Sequence, residues 1–124
     1  MQAITIADQR YMAERDKVDF IQKYIFPGGS LPSIEAIAKH ICANTDMTIT
    51  GLEDITFHYA RTLADWRKRF FEQIHQVREQ GFDDVFIRMW DFYLSFCEGG
   101  FRERVIGTSQ FLFCKPMCRI LPKV

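Results

Sequence analysis

Tyr59, Leu63, Trp66, Phe70, Ile74 and Val77 recur at spacings of three and four, which lays apolar side chains along one face of a helix. Such a face is stable in water only when another element covers it. Gly81 can take the left-handed conformation that ends helices, and so marks the stop. Asp83 follows as an N-cap for a second stripe, Phe86, Met89 or Trp90, Tyr93, Cys97 and Phe101. That helix is expected to run to about Arg104.

The first half of the chain alternates between the two periods. Met1 to Ala7 reads as a β-branched strand through Ile4, Thr5 and Ile6. Asp8 is the expected N-cap of a helix that places Tyr11, Val18, Ile21 and Ile25 on one face, with Phe20 and Tyr24 beside it. The stretch Phe26-Pro27-Gly28-Gly29-Ser30-Leu31-Pro32 then stops any helix, because proline removes donors and glycine permits positive φ. Ser33 opens a shorter helix through Ile34, Ile37, Ala38 and Ile41. Met47-Thr48-Ile49-Thr50 alternates and, with Leu52, makes a short strand. Thr108 to Cys114 makes the last strand, and Lys115-Pro116 onward reads as a tail. The order strand, helix, helix, strand, helix, helix, strand predicts an α/β fold of about three strands and four helices. With 124 residues the chain amounts to one domain at most.

Sixteen basic and sixteen acidic side chains cancel, which argues against a nucleic-acid partner bound by bulk charge. The longest apolar runs fall far short of the roughly 20 residues that span a bilayer. No basic-then-apolar leader is visible at the N-terminus. The four cysteines, Cys42, Cys97, Cys114 and Cys118, form no zinc set and read as reduced thiols. Twelve phenylalanines suit a bulky core, an acyl pocket or a site for a cationic intermediate. None of the seven glycines makes a G-x-G after a strand, so the chain offers no dinucleotide loop.

Three stretches carry a resemblance that spans nearly the whole chain. They are Tyr24 to Ser33; Asp54 to Trp66, with the core His58-Tyr59-Ala60-Arg61-Thr62-Leu63; and Arg88 to Gln110, with Tyr93, Leu94, Cys97, Glu98, Phe101 and Arg102. In order and spacing they resemble the C-terminal region of the cyclopropane-fatty-acyl-phospholipid synthases and mycolic acid cyclopropane synthases. The resemblance implies the C-terminal half of a Rossmann-like, S-adenosylmethionine (SAM)-dependent methyltransferase domain over residues 1–124. The SAM-binding half, with its glycine loop, would lie upstream, so the chain alone is expected to be inactive.

The implied reaction is transfer of a methyl group from SAM to a cis double bond of a phospholipid acyl chain. Bound bicarbonate then takes a proton from the new methyl group and a cyclopropane ring closes. An alkene is a weak nucleophile, so such a site must align it with the sulfonium and keep water from the cation. Aromatic faces soften the cation's charge. On this resemblance Tyr59 is the catalytic residue, its hydroxyl holding bicarbonate, because a phenol donates to an anion without protonating it. Ile4 would bind the same ion through its backbone. Gln2 falls where several family members carry a histidine; glutamine donates to the anion but does not titrate. Tyr93 and Cys97, on one helical face, and Phe26 would line the substrate pocket, with Gly28 and Gly29 bending the loop. Partners would be phospholipid acyl chains at the membrane surface and no nucleic acid, with the protein cytoplasmic and peripheral to the inner membrane. An unpaired strand edge at Ile4 would favour a homo-oligomer or pairing with the missing half.

Taken residue by residue, blander readings compete. Tyr59 and Cys97 also suit a helical core, and the cationic runs Arg67-Lys68-Arg69 and Arg102/Arg104 suit a solvated face or lipid head groups. At the level of the molecule the alternatives are a lipid-branching or small-amine methyltransferase of the same fold, and a non-enzymatic piece that only packs or self-associates.

Overall fold

The computed structural model describes residues 1–119. Its elements are β1 (Gln2–Ile6), α1 (Asp8–Glu14), a π-helical turn (Ile21–Ile25), α2 (Ile34–Asn44), β2 (Thr48–Asp54), α3 (Thr56–Glu72), α4 (Ile74–Glu79), α5 (Asp84–Arg102) and β3 (Ile106–Cys114). The expected mixed α/β architecture is present. The last residues of the expected tail, 120–124, lie outside the described residues.

The chain divides into two compact units. One comprises residues 1–55 with those from 105 onward. It holds the sheet, in the order β1-β3-β2, with both pairings antiparallel. Gln2 stands opposite Gln110 and Ile6 opposite Ile106. The β2 register slips between Ile49 and Gly51, a bulge that shifts the alternation of β2 by one residue. The buried residues here are Thr5, Ser33, Ile37, Thr108, Ser109 and Phe111. The second unit, residues 56–104, is helical, with α3 packed on α5. Ala60, Leu63, Ile87, Leu94 and Phe101 form its core, Leu63 and Phe101 being 1% exposed.

Two expected helices are shorter than their patterns suggested. The helix foreseen from Asp8 through Ile25 ends at Glu14, and Val18 stands 74% exposed rather than on a buried stripe. The cause is local: Asp19 and Gln22 cap one another (Gln22 N–H to Asp19 Oδ1 and Asp19 N–H to Gln22 Oε1, both 2.9 Å) and start a new turn. Asp8 is not the cap of α1, since Ala7 holds that position. The Asp8 carboxylate instead accepts the Glu35 N–H at 2.8 Å, in the first turn of α2. The stripe from Tyr59 to Val77 is likewise cut at Gln73, whose ψ of 18° leaves the helical range and puts Ile74 and Val77 on the separate α4. There are thus five α-helices and a π-helical turn among the described residues, rather than four helices.

The expected punctuation holds elsewhere. Gly81 has φ +91° and donates to Arg78 O at 2.9 Å. Asp83 accepts the Phe86 N–H at 2.9 Å, and Ser33 the Ala36 N–H at 3.1 Å.

Candidate functional site

Tyr59, Tyr93 and Cys97 all belong to the helical unit. Tyr59 lies in the first turns of α3, next to the buried Ala60 and one turn before Leu63, so packing of α3 on α5 fixes its depth. Its ring meets Phe101 of α5 at 5.0 Å between centroids and Trp66 edge-on at 6.4 Å. Phe101 is held by its own burial, so the phenol rests on a rigid wall. Tyr93 and Cys97 project from α5 one turn apart.

Tyr93 stands at the end of an aromatic ladder. Phe82 stacks on Phe86 at 4.1 Å, Phe86 contacts Trp90 at 5.8 Å, and Trp90 meets Tyr93 edge-on at 5.4 Å. Burial, followed by the neighbouring Cys97 and Tyr59, pushes the Tyr93 phenol above its ordinary value of 10.0. Cys97 and Tyr59 are thus each within electrostatic reach of Tyr93. Tyr59 thereby sets a hydroxyl donor against aromatic faces, a surface suited to an anion and to a developing cation.

Arg67 of α3 pairs with Asp91 of α5 at 2.6 Å, and this bond, outweighing slight desolvation, raises the Arg67 pKa. Arg102 pairs with Glu98 at 2.7 Å, Lys68 with Glu72 at 3.8 Å, and Arg104 lies over the Phe57 ring at 4.7 Å. These cations therefore serve first to hold the helices and their ends.

Gln2, Ile4 and Phe26 belong to the sheet unit. Met1 and Phe111 exchange both backbone bonds, at 2.8 and 2.7 Å, which makes them a hydrogen-bonded pair. Antiparallel pairs alternate, so Ala3 and Thr5 also bond to β3, while Gln2, Ile4 and Ile6 turn their backbone groups to the other edge. Ile6 shows this directly, its N–H reaching Pro32 O at 3.0 Å. The Ile4 N–H and C=O thus face the open edge of the sheet. Gln2 Oε1 accepts from Gln110 Nε2 at 3.2 Å, so the donor end of the Gln2 amide is not used in this bond. Phe26, 57% exposed, follows the π-helical turn.

Periodicity put Trp66 on the Tyr59 face of α3, but gave no sign of Phe101 as the neighbour of Tyr59, or of the Gln2–Gln110 pair. Both depend on which elements meet. The Asp19-x-x-Gln22 cap did carry a local signal, the reciprocal spacing of a capping box.

A family model for mycolic acid cyclopropane synthetase matches residues 1–111. The tuberculostearic acid methyltransferase of Mycobacterium tuberculosis is 42% identical over 111 residues, covering 90% of this chain and 26% of that protein. The cyclopropane-fatty-acyl-phospholipid synthase of Escherichia coli K12 is 32% identical over 96 residues, 77% of this chain and 24% of that one. A mycolic acid cyclopropane synthase solved with SAH and CTAB superposes with a TM-score of 0.77 at 29% identity, over 90% of this chain and 42% of the other. The chain therefore spans about a quarter of these curated relatives.

Proposed function

This chain belongs to the mycolic acid cyclopropane synthetase family, and we propose that the whole protein carrying it methylates the double bond of unsaturated acyl chains. The observation that carries this reading is Tyr59 held against the Phe101 and Trp66 rings, with Tyr93 of α5 in its electrostatic reach. SAM, when bound, supplies an electrophilic methyl group; the solved neighbour that holds SAH, its demethylated form, supports this choice of donor.

The alkene's π pair forms the new carbon–carbon bond as the methyl–sulfur bond breaks, leaving a cation on the acyl chain. Aromatic walls tolerate that cation without a nucleophile to trap it. The Tyr59 hydroxyl holds bicarbonate by a charge-assisted bond. The sheet unit by itself also offers donors for an anion, the Ile4 N–H at the open edge and the Gln2 side-chain amide. When a proton leaves the new methyl group for that base, its bonding pair closes the ring. In this reading Tyr93 and Cys97 are the acyl-pocket residues of the helical unit, and Phe26 that of the sheet unit.

Phospholipid is the substrate class we favour, reached from the cytoplasmic side by a peripheral protein. No helix among the described residues is long and apolar enough to cross a membrane.

Gln2 favours a second reading, in which the methyl group is added and no ring closes. Two relatives carry methyltransferase names: the mycobacterial one, and a probable fatty acid methyltransferase of Pseudomonas putida, 32% identical over 98 residues. Mass spectrometry and proton NMR of lipids from cells expressing the full-length protein test both. One added CH2 on unsaturated chains with upfield ring protons is expected for the first reading, and the same mass with olefinic signals on a methyl- or methylene-branched chain for the second. Unchanged acyl chains overturn both.

A further inference from the structure

The segment that carries Phe26 is tied down far more completely than its exposure suggests. Phe26 N–H closes the π-helical turn on Ile21 O at 2.7 Å. The next four residues, Phe26 to Gly29, form a turn with Gly29 N–H on Phe26 O at 2.9 Å, Pro27 second and Gly28 third at φ +79°. Those are the requirements of a type II turn. Gly29 is tightly placed as well, since an added Cβ would stand 3.0 Å from Phe26 O.

One side chain joins these two turns. Gln22 gives its Oε1 to Asp19 N–H and its Nε2 to Gly29 O, both at 2.9 Å, while its own N–H donates to Asp19 Oδ1 at 2.9 Å. An amide has a donor and an acceptor at opposite corners, so glutamine can link the start of the π-helical turn to the end of the glycine turn. Phe26 lies between the two fixed points. Tyr24 and Leu31, which flank this segment in the sequence, are 55% and 36% exposed.

We propose that Gln22 is a positioning residue for the acyl chain: its strut to Gly29 O sets the placement of Phe26 and hence the fit of the lipid. This rests on the reading above that Phe26 lines the acyl pocket.

Gln22→Glu separates strut from cap. A glutamate keeps the acceptor for Asp19 N–H but has no donor for Gly29 O. In the full-length protein it is expected to raise the lipid KM about fivefold, which corresponds to about 1 kcal/mol, one neutral hydrogen bond. The kcat should stay within about twofold, and SAM affinity and melting temperature should hold. Amide exchange at Gly29, read without substrate, should accelerate. Phe26→Ala is the reference and should raise the lipid KM as well. An unchanged lipid KM or unchanged exchange in Gln22→Glu overturns the strut; if Phe26→Ala still raises KM, the pocket reading survives. If Phe26→Ala also leaves KM unchanged, or the full-length protein methylates no acyl lipid, both fail. A fall in melting temperature with kcat and KM moving together would reduce Gln22 to a stabilising role and overturn the proposal.

Discussion

Tyr59 offers the sharpest test at the scale of single residues. Tyr59→Phe removes one donor to the bound anion and almost no volume. Loss of a charge-assisted bond is worth about 1.5–3 kcal/mol, so turnover of the full-length protein should fall roughly ten- to a hundredfold. SAM affinity should not change, and wild-type turnover would remove Tyr59 from the reaction. Tyr93 makes a different prediction, about pH. Burial, with Cys97 and Tyr59 adding to it, raises its folded pKa above the ordinary 10.0, so above that pH the unfolded chain releases this proton more readily than the folded one. The stability this group contributes is therefore intact below pH 10.0 and lost as pH climbs toward the folded value. Melting temperature should decline above about pH 10, and Tyr93→Phe should flatten that decline without altering the neutral range. An equal alkaline slope in the Phe variant would show that other groups set it.

The elements owe their ends to side chains whose spacing was readable beforehand. Asp83 caps α5, and Asp83→Ala should lower stability by about 1 kcal/mol, measurable as a shifted urea midpoint with unchanged slope. Gly28 and Gly81 both have positive φ, so alanine at either is strained whatever space surrounds it. Gly81→Ala should destabilise the link between α4 and α5 by about 1 kcal/mol in the same titration, and a neutral result would show that the turn rearranges freely. The two helices cut short teach the opposite lesson. Val18 and Ile74 fit their stripes by period alone, yet Asp19 with Gln22 in one case and Gln73 in the other redirect the backbone. A three-to-four spacing continues in the sequence wherever apolar residues happen to fall; it cannot report a competing local cap.

For the whole molecule, the absent glycine loop and the open edge of β1 decide what the 124 residues can do alone. Titration of this chain with SAM should show no micromolar affinity, and a clear micromolar isotherm would place the cofactor site within these residues. Exposed strand edges seek partners, and so do exposed aromatics such as Phe57 and Phe96, 55% and 48% accessible. Sedimentation should therefore report species heavier than the 14.6 kDa monomer, against which a single monomeric boundary would count.

The features legible in the amino-acid order were local: the alternation of strand and helix periods, the caps at Ser33 and Asp83, the stop at Gly81, and the proline–glycine break before Ser33. Each depends on a few neighbouring residues and their φ, ψ and hydrogen-bonding preferences. The family, too, was legible, because the ordered spacing of three motifs survives in the linear chain. The tertiary structure was needed to show that β3 lies between β1 and β2, that Gln2 stands opposite Gln110, and that Phe101 walls Tyr59. Those outcomes follow from pairing and burial between residues far apart in the chain. A periodic pattern names the face that must be covered, and only packing selects what covers it.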